Sequence, residues 1–149
     1  METTVKEAKD YLLKIELLDT QINCMQSSVD GLRESLHHIT PTLKPDAVTG
    51  GGYQDRLSST IAKIVDLENE INIKIDDLVD RKARVIWLLE KVRNPDYLKV
   101  LHMRYVDLEK WDAVASVMCC TVRNVHKLHG RALQVFAKIM EEEKSGKRA

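Results

Sequence analysis

The chain's 149 residues and 17.1 kDa amount to one domain, or one domain with a helical extension, and a 44% hydrophobic, 31% charged composition excludes a disordered polypeptide. Lys+Arg and Asp+Glu both number 23, so the formal charge is zero, and only 5% aromatic residues beside abundant Leu, Ile, Val and Met favour an all-α fold over a β-sandwich. No apolar run approaches the ~18–20 residues of a membrane span, and the polar start Met1-Glu2-Thr3-Thr4-Val5-Lys6-Glu7 lacks a signal peptide's apolar centre, so a cytoplasmic protein with no membrane partner is expected.

The first segment carries a heptad. Ile15, Leu18, Ile22, Met25, Val29, Leu32, Leu36 and Ile39 are spaced alternately by three and four, the seam of a coiled-coil-like helix. Residues 40–52 then hold two prolines and three consecutive glycines, which predicts a flexible linker over 40–53. A second stripe follows in Leu57, Ile61, Ile64, Glu68, Ile71, Ile75, Leu78, Lys82, Val85, Leu89 and Val92, interrupted by Glu68 and Lys82, with Leu67 and Ile86 placed to cover the gaps. Two helices of about 35–40 residues, each near 55 Å long, joined by a loose loop predict a long antiparallel hairpin over 1–93. Narrow stripes of this length bury one another, and they also suit a second hairpin in a four-helix bundle, so a homo-oligomer through the N-terminal helices is expected.

Asn94-Pro95-Asp96 is a stop-and-restart signal that opens a second region, 94–149. Asp96 to Tyr105 reads as a short helix with Leu98, Leu101 and Tyr105 on one face. Lys110 to Met118 reads as another, with Val114, Val117 and Met118 inward and the small Ala115 where two helices cross. Thr121 is a good N-cap for a third helix, from Val122 to about Ile139. Short helix, tight turn, N-cap and longer helix is the helix-turn-helix pattern.

That last helix has two unlike faces. Val125, Leu128, Ala132, Val135, Phe136 and Ile139 fall on one side at 100° per residue; Arg123, Lys127, Arg131, Gln134 and Lys138 fall opposite. No Asp or Glu occurs between Ala113 and Met140. Residues 1–93 hold 13 cations against 16 anions and residues 94–149 hold 10 against 7, so a neutral chain conceals a charge split. A basic stripe of this kind is either a solvated face or a surface for double-stranded DNA, whose phosphates attract cations while residues near the helix start reach base edges in the major groove. On the second reading Arg123 suits a bidentate contact to guanine and Asn124 a contact to adenine. Lys127 and Arg131 suit phosphates or a neighbouring base, and His126 on the flank suits either.

Val114-Ala115-x-x-Met118-Cys119-Cys120-Thr121-x-x-x-Val125-x-x-Leu128-x-x-Arg131-Ala132-Leu133 resembles the fourth region of bacterial sigma factors, roughly I-A-x-x-L-G-V-S-x-x-x-V-x-x-I-x-x-R-A-L. Upstream, Tyr97, Leu98, Val100, Leu101, Arg104 and Tyr105 resemble the helix that precedes it in that family. The match covers about a third of the chain. The whole architecture is similar to small phage and prophage late-gene transcriptional activators of the RinA and ArpU kind. The resemblance implies a sigma-region-4-like helix-turn-helix after the hairpin, contact with RNA polymerase, and a DNA-facing set of Thr121, Val122, Arg123, Asn124, His126, Lys127 and Arg131. Val122 and Arg123 stand where the family favours Arg then Glu, so its usual promoter element is not implied as the target. Cys119 replaces the turn glycine, which costs ~1 kcal/mol or more if the position is left-handed. Gly130 replaces a common Ala, at roughly 0.8–1 kcal/mol of helix propensity. The parts of a sigma factor that melt promoter DNA have no counterpart here. A phage DNA-packaging protein of the small-terminase kind, or a helical assembly protein, is the alternative.

No enzyme is expected. Gly50-Gly51-Gly52 has no following Lys-Ser/Thr, Asp76-Asp77 sits mid-helix, His37-His38 suits a helix C-terminus, and no cofactor is implied. The odd count of Cys24, Cys119 and Cys120 reads as reduced thiols; Cys119, Cys120, His126 and His129 lie close together but without a C-x-x-C pair, so Cys119 and Cys120 read as buried or half-buried thiols and not as metal ligands.

Overall fold

The computed structural model describes residues 3–39 and 52–148 and is all-helical, with no strand among those residues. Helix α1 spans Val5–Ile39, α2 Gly52–Leu89, α3 Pro95–Leu101, α4 Trp111–Val117 and α5 Val122–Arg148; a π-helical turn, His102–Val106, follows α3 directly. Almost all of the linker predicted over 40–53 lies outside the described residues. None of the helices is long and apolar enough to cross a membrane, among the described residues.

Two compact units divide the chain: Met1–Leu17 together with Leu78–Ala149, and Leu18–Asp77. Residues 93 and 94, either side of the division read at Asn94-Pro95, both lie in the first unit. The physical reason is one apolar cluster. It joins Ala8, Leu12 and Ile15 of α1 and Val85, Leu88, Leu89 and Val92 of α2 to Leu101, Tyr105, Ala132, Leu133 and Phe136. The inner face of α5 is thus covered by both ends of the N-terminal segment. Thr3 adds a polar tie: its backbone N–H and its hydroxyl each donate to Glu141 Oε2 at 2.6 Å, and these donors hold that carboxyl below the ordinary carboxylate range. Lys91 pairs with Glu143. Consistent with these ties, α5 runs on past Ile139, where its apolar pattern stops, to Arg148; Glu141-Glu142-Glu143-Lys144 are strong helix formers.

In the unit Leu18–Asp77, Val29, Ile64 and Ile71 are buried against Ile22, Met25, Leu32, Leu36 and Leu67. Arg33 pairs with Glu68, and Lys74 Nζ donates to Gln21 Oε1 at 3.3 Å. The α1 stripe faces inward as its spacing predicts, from Leu18 to Leu36. Most of the α2 stripe does so too: Ile64, Ile71, Val85, Leu89 and Val92 are buried, and Leu57 and Leu78 are half-buried. Its inward register runs through Ile64, Leu67 and Ile71 and, in the other unit, through Val85 and Leu88. Ile61 and Ile75 are 45% and 38% exposed, and Ile86, expected to cover a gap, is 41% exposed. α2 carries two apolar stripes on neighbouring faces, and helical spacing makes both equally plausible; the partner surface selects one.

Around α3 and α4 the local signals act as their chemistry dictates. Asn94 caps α3, its Oδ1 accepting from the N–H groups of Asp96 at 2.9 Å and Tyr97 at 3.4 Å, with Pro95 in the first turn. The helix expected over Asp96–Tyr105 is α-helical only to Leu101 and widens into the π-helical turn. Beyond it Leu108 takes a left-handed backbone, φ 57°, and Lys110 is the extended residue that precedes α4. A second apolar cluster, Val100, Val114, Ala115 and Val125 with Trp111, Met118 and Val122 against it, ties α3, α4 and the start of α5 together. Val117, placed inward by its spacing, is 63% exposed; Ala115, at 5%, takes the close crossing.

Candidate nucleic-acid interface

The start of α5 is fixed from both sides. Thr121 Oγ1 accepts the N–H of Asn124 at 3.1 Å, the N-cap its position predicts. Before it, Cys119 has φ 55°, so the turn does use a left-handed residue at the position where the resembled family has glycine. A side chain there costs roughly 1–2 kcal/mol relative to glycine. The turn closes on itself through Cys119 N–H to Ser116 O at 3.2 Å and Cys120 N–H to Ala115 O at 3.1 Å. Cys119 is exposed, against the expectation that it be buried or half-buried, and Cys120 is half-buried; Cys24 is exposed. Among the described residues, no group of three His, Cys, Asp or Glu side chains is placed to hold a metal ion.

From that start the basic face opens outward. Arg123, Lys127, Arg131, Gln134 and Lys138 are all exposed, and Asn124 and His126 are exposed beside them. Opposite, Val125, Ala132 and Phe136 are fully buried. Arg123 and Lys138 are fifteen residues apart, about 22 Å along the axis, so the cations form a ridge and not a single cluster. Thr121 is exposed, with its hydroxyl engaged in the cap. Val122 is half-buried against the α3–α4–α5 cluster, so of the seven sequence-derived positions it is the one turned inward.

Gly130 sits on the exposed side of α5, and a Cβ built there meets nothing within 4 Å. Gly130→Ala is therefore expected to raise stability by roughly 0.8–1 kcal/mol, the helix-propensity difference alone. Urea unfolding checks it; a loss of stability would mean that this side of α5 is covered.

Beneath the ridge lies a network that the spacing of the sequence does not reveal. His129, 6% exposed, places Nε2 2.6 Å from the Tyr105 hydroxyl, which is also buried. Trp111 stacks near both histidines of α5, its ring 4.4 Å from that of His126 and 4.8 Å from that of His129. The Arg104 guanidinium lies 4.6 Å over Trp111, donates to Glu109 O at 2.9 Å and comes within 3.8 Å of Glu16. This stack connects the π-helical turn, the first residue of α4 and the second turn of α5, and so sets the angle at which the ridge is presented. Its signal in the sequence was Arg104-Tyr105 in the resembled motif; the partner histidine lies 24 positions on.

Burial pushes His129 down to about 4, with Lys9, His126 and Arg104 adding in the same direction, and pushes the Tyr105 phenol up to about 12. A neutral ring with its proton on Nδ1 accepts from the phenol at Nε2. The unfolded chain binds a proton at this histidine below about 6.5 while the folded chain does not, so its contribution to stability is complete above that pH. It falls away as pH drops from about 6.5 toward 4, by roughly 1–3 kcal/mol. His129→Gln keeps a polar partner for Tyr105 without titrating, and urea midpoints of the two proteins should converge across that window; parallel curves would show that His129 protonates freely in the fold.

Compared with known proteins, the chain matches no family model, no curated protein and no solved structure.

Proposed function

We propose that the chain is a sequence-specific DNA-binding transcriptional regulator of phage type. In this reading α4, the Cys119 turn and α5 act as the helix-turn-helix, with the first turns of α5 in the major groove. Arg123 and Asn124 face base edges; Lys127, Arg131 and His126 take phosphates or a flanking base; the Thr121 cap presents the helix N-terminus to the backbone. α1 and α2 form the long hairpin, a reading supported by the reverse order of the Gln21–Lys74 and Arg33–Glu68 contacts, and they carry self-association. The sigma-factor resemblance supports RNA polymerase as a further partner.

One observation carries this reading: an acid-free cationic ridge stands open on the helix that follows a capped, left-handed turn, with a packed apolar face directly behind it. A merely solvated helix face mixes charges of both signs to gain i,i+4 pairs. Here the like charges remain together, an arrangement that repels itself unless an anionic surface meets it.

Selection of bound duplexes from a random pool, with and without polymerase, tests the proposal. A defined motif is expected, with log K falling against log salt at about −0.9 per neutralised phosphate. Gly130→Ala, though more stable, should bind more weakly if the DNA backbone approaches that bare stretch of helix. A chain that fails to retain any duplex at low salt would refute the proposal. A closed ring of many copies binding without sequence preference would favour the packaging role instead.

A further inference from the structure

α2 is one unbroken helix that carries more apolar side chains than its own chain covers. Ile61, Val65, Ile75, Val79 and Ile86 are 45, 49, 38, 58 and 41% exposed, and none belongs to an apolar cluster. Glu68, Asn72 and Lys82 fill the steps between them, so the positions run alternately four and three apart. At 100° per residue they share a sector about 100° wide, turned by about 100° from the face that holds Leu67, Ile71 and Val85. A period of 3.5 residues sustained over more than three heptads is the pattern of a seam between helices. Ile73 and Trp87, 69% and 40% exposed, lie outside the stripe.

We propose that this stripe is the contact with a second copy of the same chain, and that the two α2 helices run antiparallel across it. The two charges in the stripe decide the direction. Glu68 lies seven residues before Ile75 and Lys82 seven residues after. In a parallel, in-register pair each would meet its own kind across the seam, two carboxylates at one level and two ammonium groups at another. In an antiparallel pair centred between residues 73 and 74, Ile61 of one copy lies against Ile86 of the other, and each Glu68 lies against Val79, within one turn of Lys82 of the other copy. Glu68 already meets Arg33 of its own chain, and with its side chain still 40% exposed it retains acceptor surface for a second cation. Asn72 falls beside Ile75 at the centre, where a single polar residue in a seam sets register at some expense of stability. The inference deepens the self-association proposed above and stands apart from DNA binding.

Sedimentation equilibrium of the full chain, with thermal unfolding as a control for folding, tests it. The wild-type protein is expected to be dimeric at about 100 µM. Ile75→Lys/Val79→Lys should be monomeric and melt cooperatively, with a melting temperature that no longer rises with protein concentration as the wild-type value does, because both sites are exposed in the single chain. Lys82→Glu should weaken association at least tenfold, and Glu68→Lys/Lys82→Glu should restore it to within a few-fold. A monomeric wild-type chain would overturn both this inference and self-association. An oligomer indifferent to Ile75→Lys/Val79→Lys would overturn this interface and leave self-association standing. Association that Lys82→Glu leaves unchanged would overturn the antiparallel arrangement, since a parallel pair merely exchanges one like-charge contact for another.

Discussion

Phe136→Ala is expected to cost about 3–5 kcal/mol of unfolding free energy, a large share of what a domain of this size possesses. Phe136 is fully buried on the inner face of α5, in the cluster that also contains Leu12, Val85, Leu88 and Leu101. Truncation removes the ring's transfer energy and leaves a cavity in a cluster drawn from α1, α2, α3 and α5. Its walls relax little, because each is held by its own neighbours. Urea denaturation measures the effect, and Gln134→Ala on the opposite, exposed face is the control, expected to stay within about 0.5 kcal/mol of wild type. A cost below about 1.5 kcal/mol would show that the start of α1 and the end of α2 do not close over α5. The experiment thus examines the union of Met1–Leu17 with Leu78–Ala149 as much as a single side chain.

The second large effect concerns recognition. Arg123→Ala should lose about 1–3 kcal/mol on the preferred duplex, roughly five- to 150-fold in affinity, and relax base choice at one position. Its guanidinium is exposed one residue beyond the start of α5, where a helix entering a major groove offers side chains to base edges. Lys127→Ala, one turn further on, should weaken all sequences alike and reduce the salt slope by about one. Titrations of a selected and a scrambled duplex at several salt concentrations separate the two patterns. Equal losses on both duplexes for Arg123→Ala would remove it as a base reader while leaving the ridge as a phosphate surface.

Much of this architecture is written in short-range chemistry. Asn94 and Thr121 cap their helices because a side-chain oxygen two or three residues before a free N–H satisfies it whatever the rest of the chain does. The stripe of α5 is unambiguous, since that helix has one apolar face. The exposed ridge of Arg123, Lys127, Arg131 and Lys138 follows from the same periodicity. The left-handed turn at Cys119 was legible only through the resembled motif, because cysteine carries no turn signal of its own.

Other features depend on partners distant in sequence. Val117, which spacing places inward, is exposed, and Val122, which the resembled motif places toward DNA, is half-buried, because the crossing of α4 on α5 at Ala115 sets which side is covered. The Tyr105–His129 contact needs the π-helical turn and α5 to meet at one height, and nothing in either segment specifies that. α2 shows the distinction most plainly. Its heptads guarantee a helix with apolar seams, but two adjacent seams satisfy the same periodicity. Burial against Val29 and its neighbours in one unit, and against Leu12 and Phe136 in the other, selects Ile64, Ile71, Val85 and Leu88 and leaves Ile61, Ile75 and Ile86 in solvent. Helix formation is local, a matter of hydrogen bonds four residues apart; the choice between two faces of equal hydrophobicity belongs to whichever surface arrives to exclude the water.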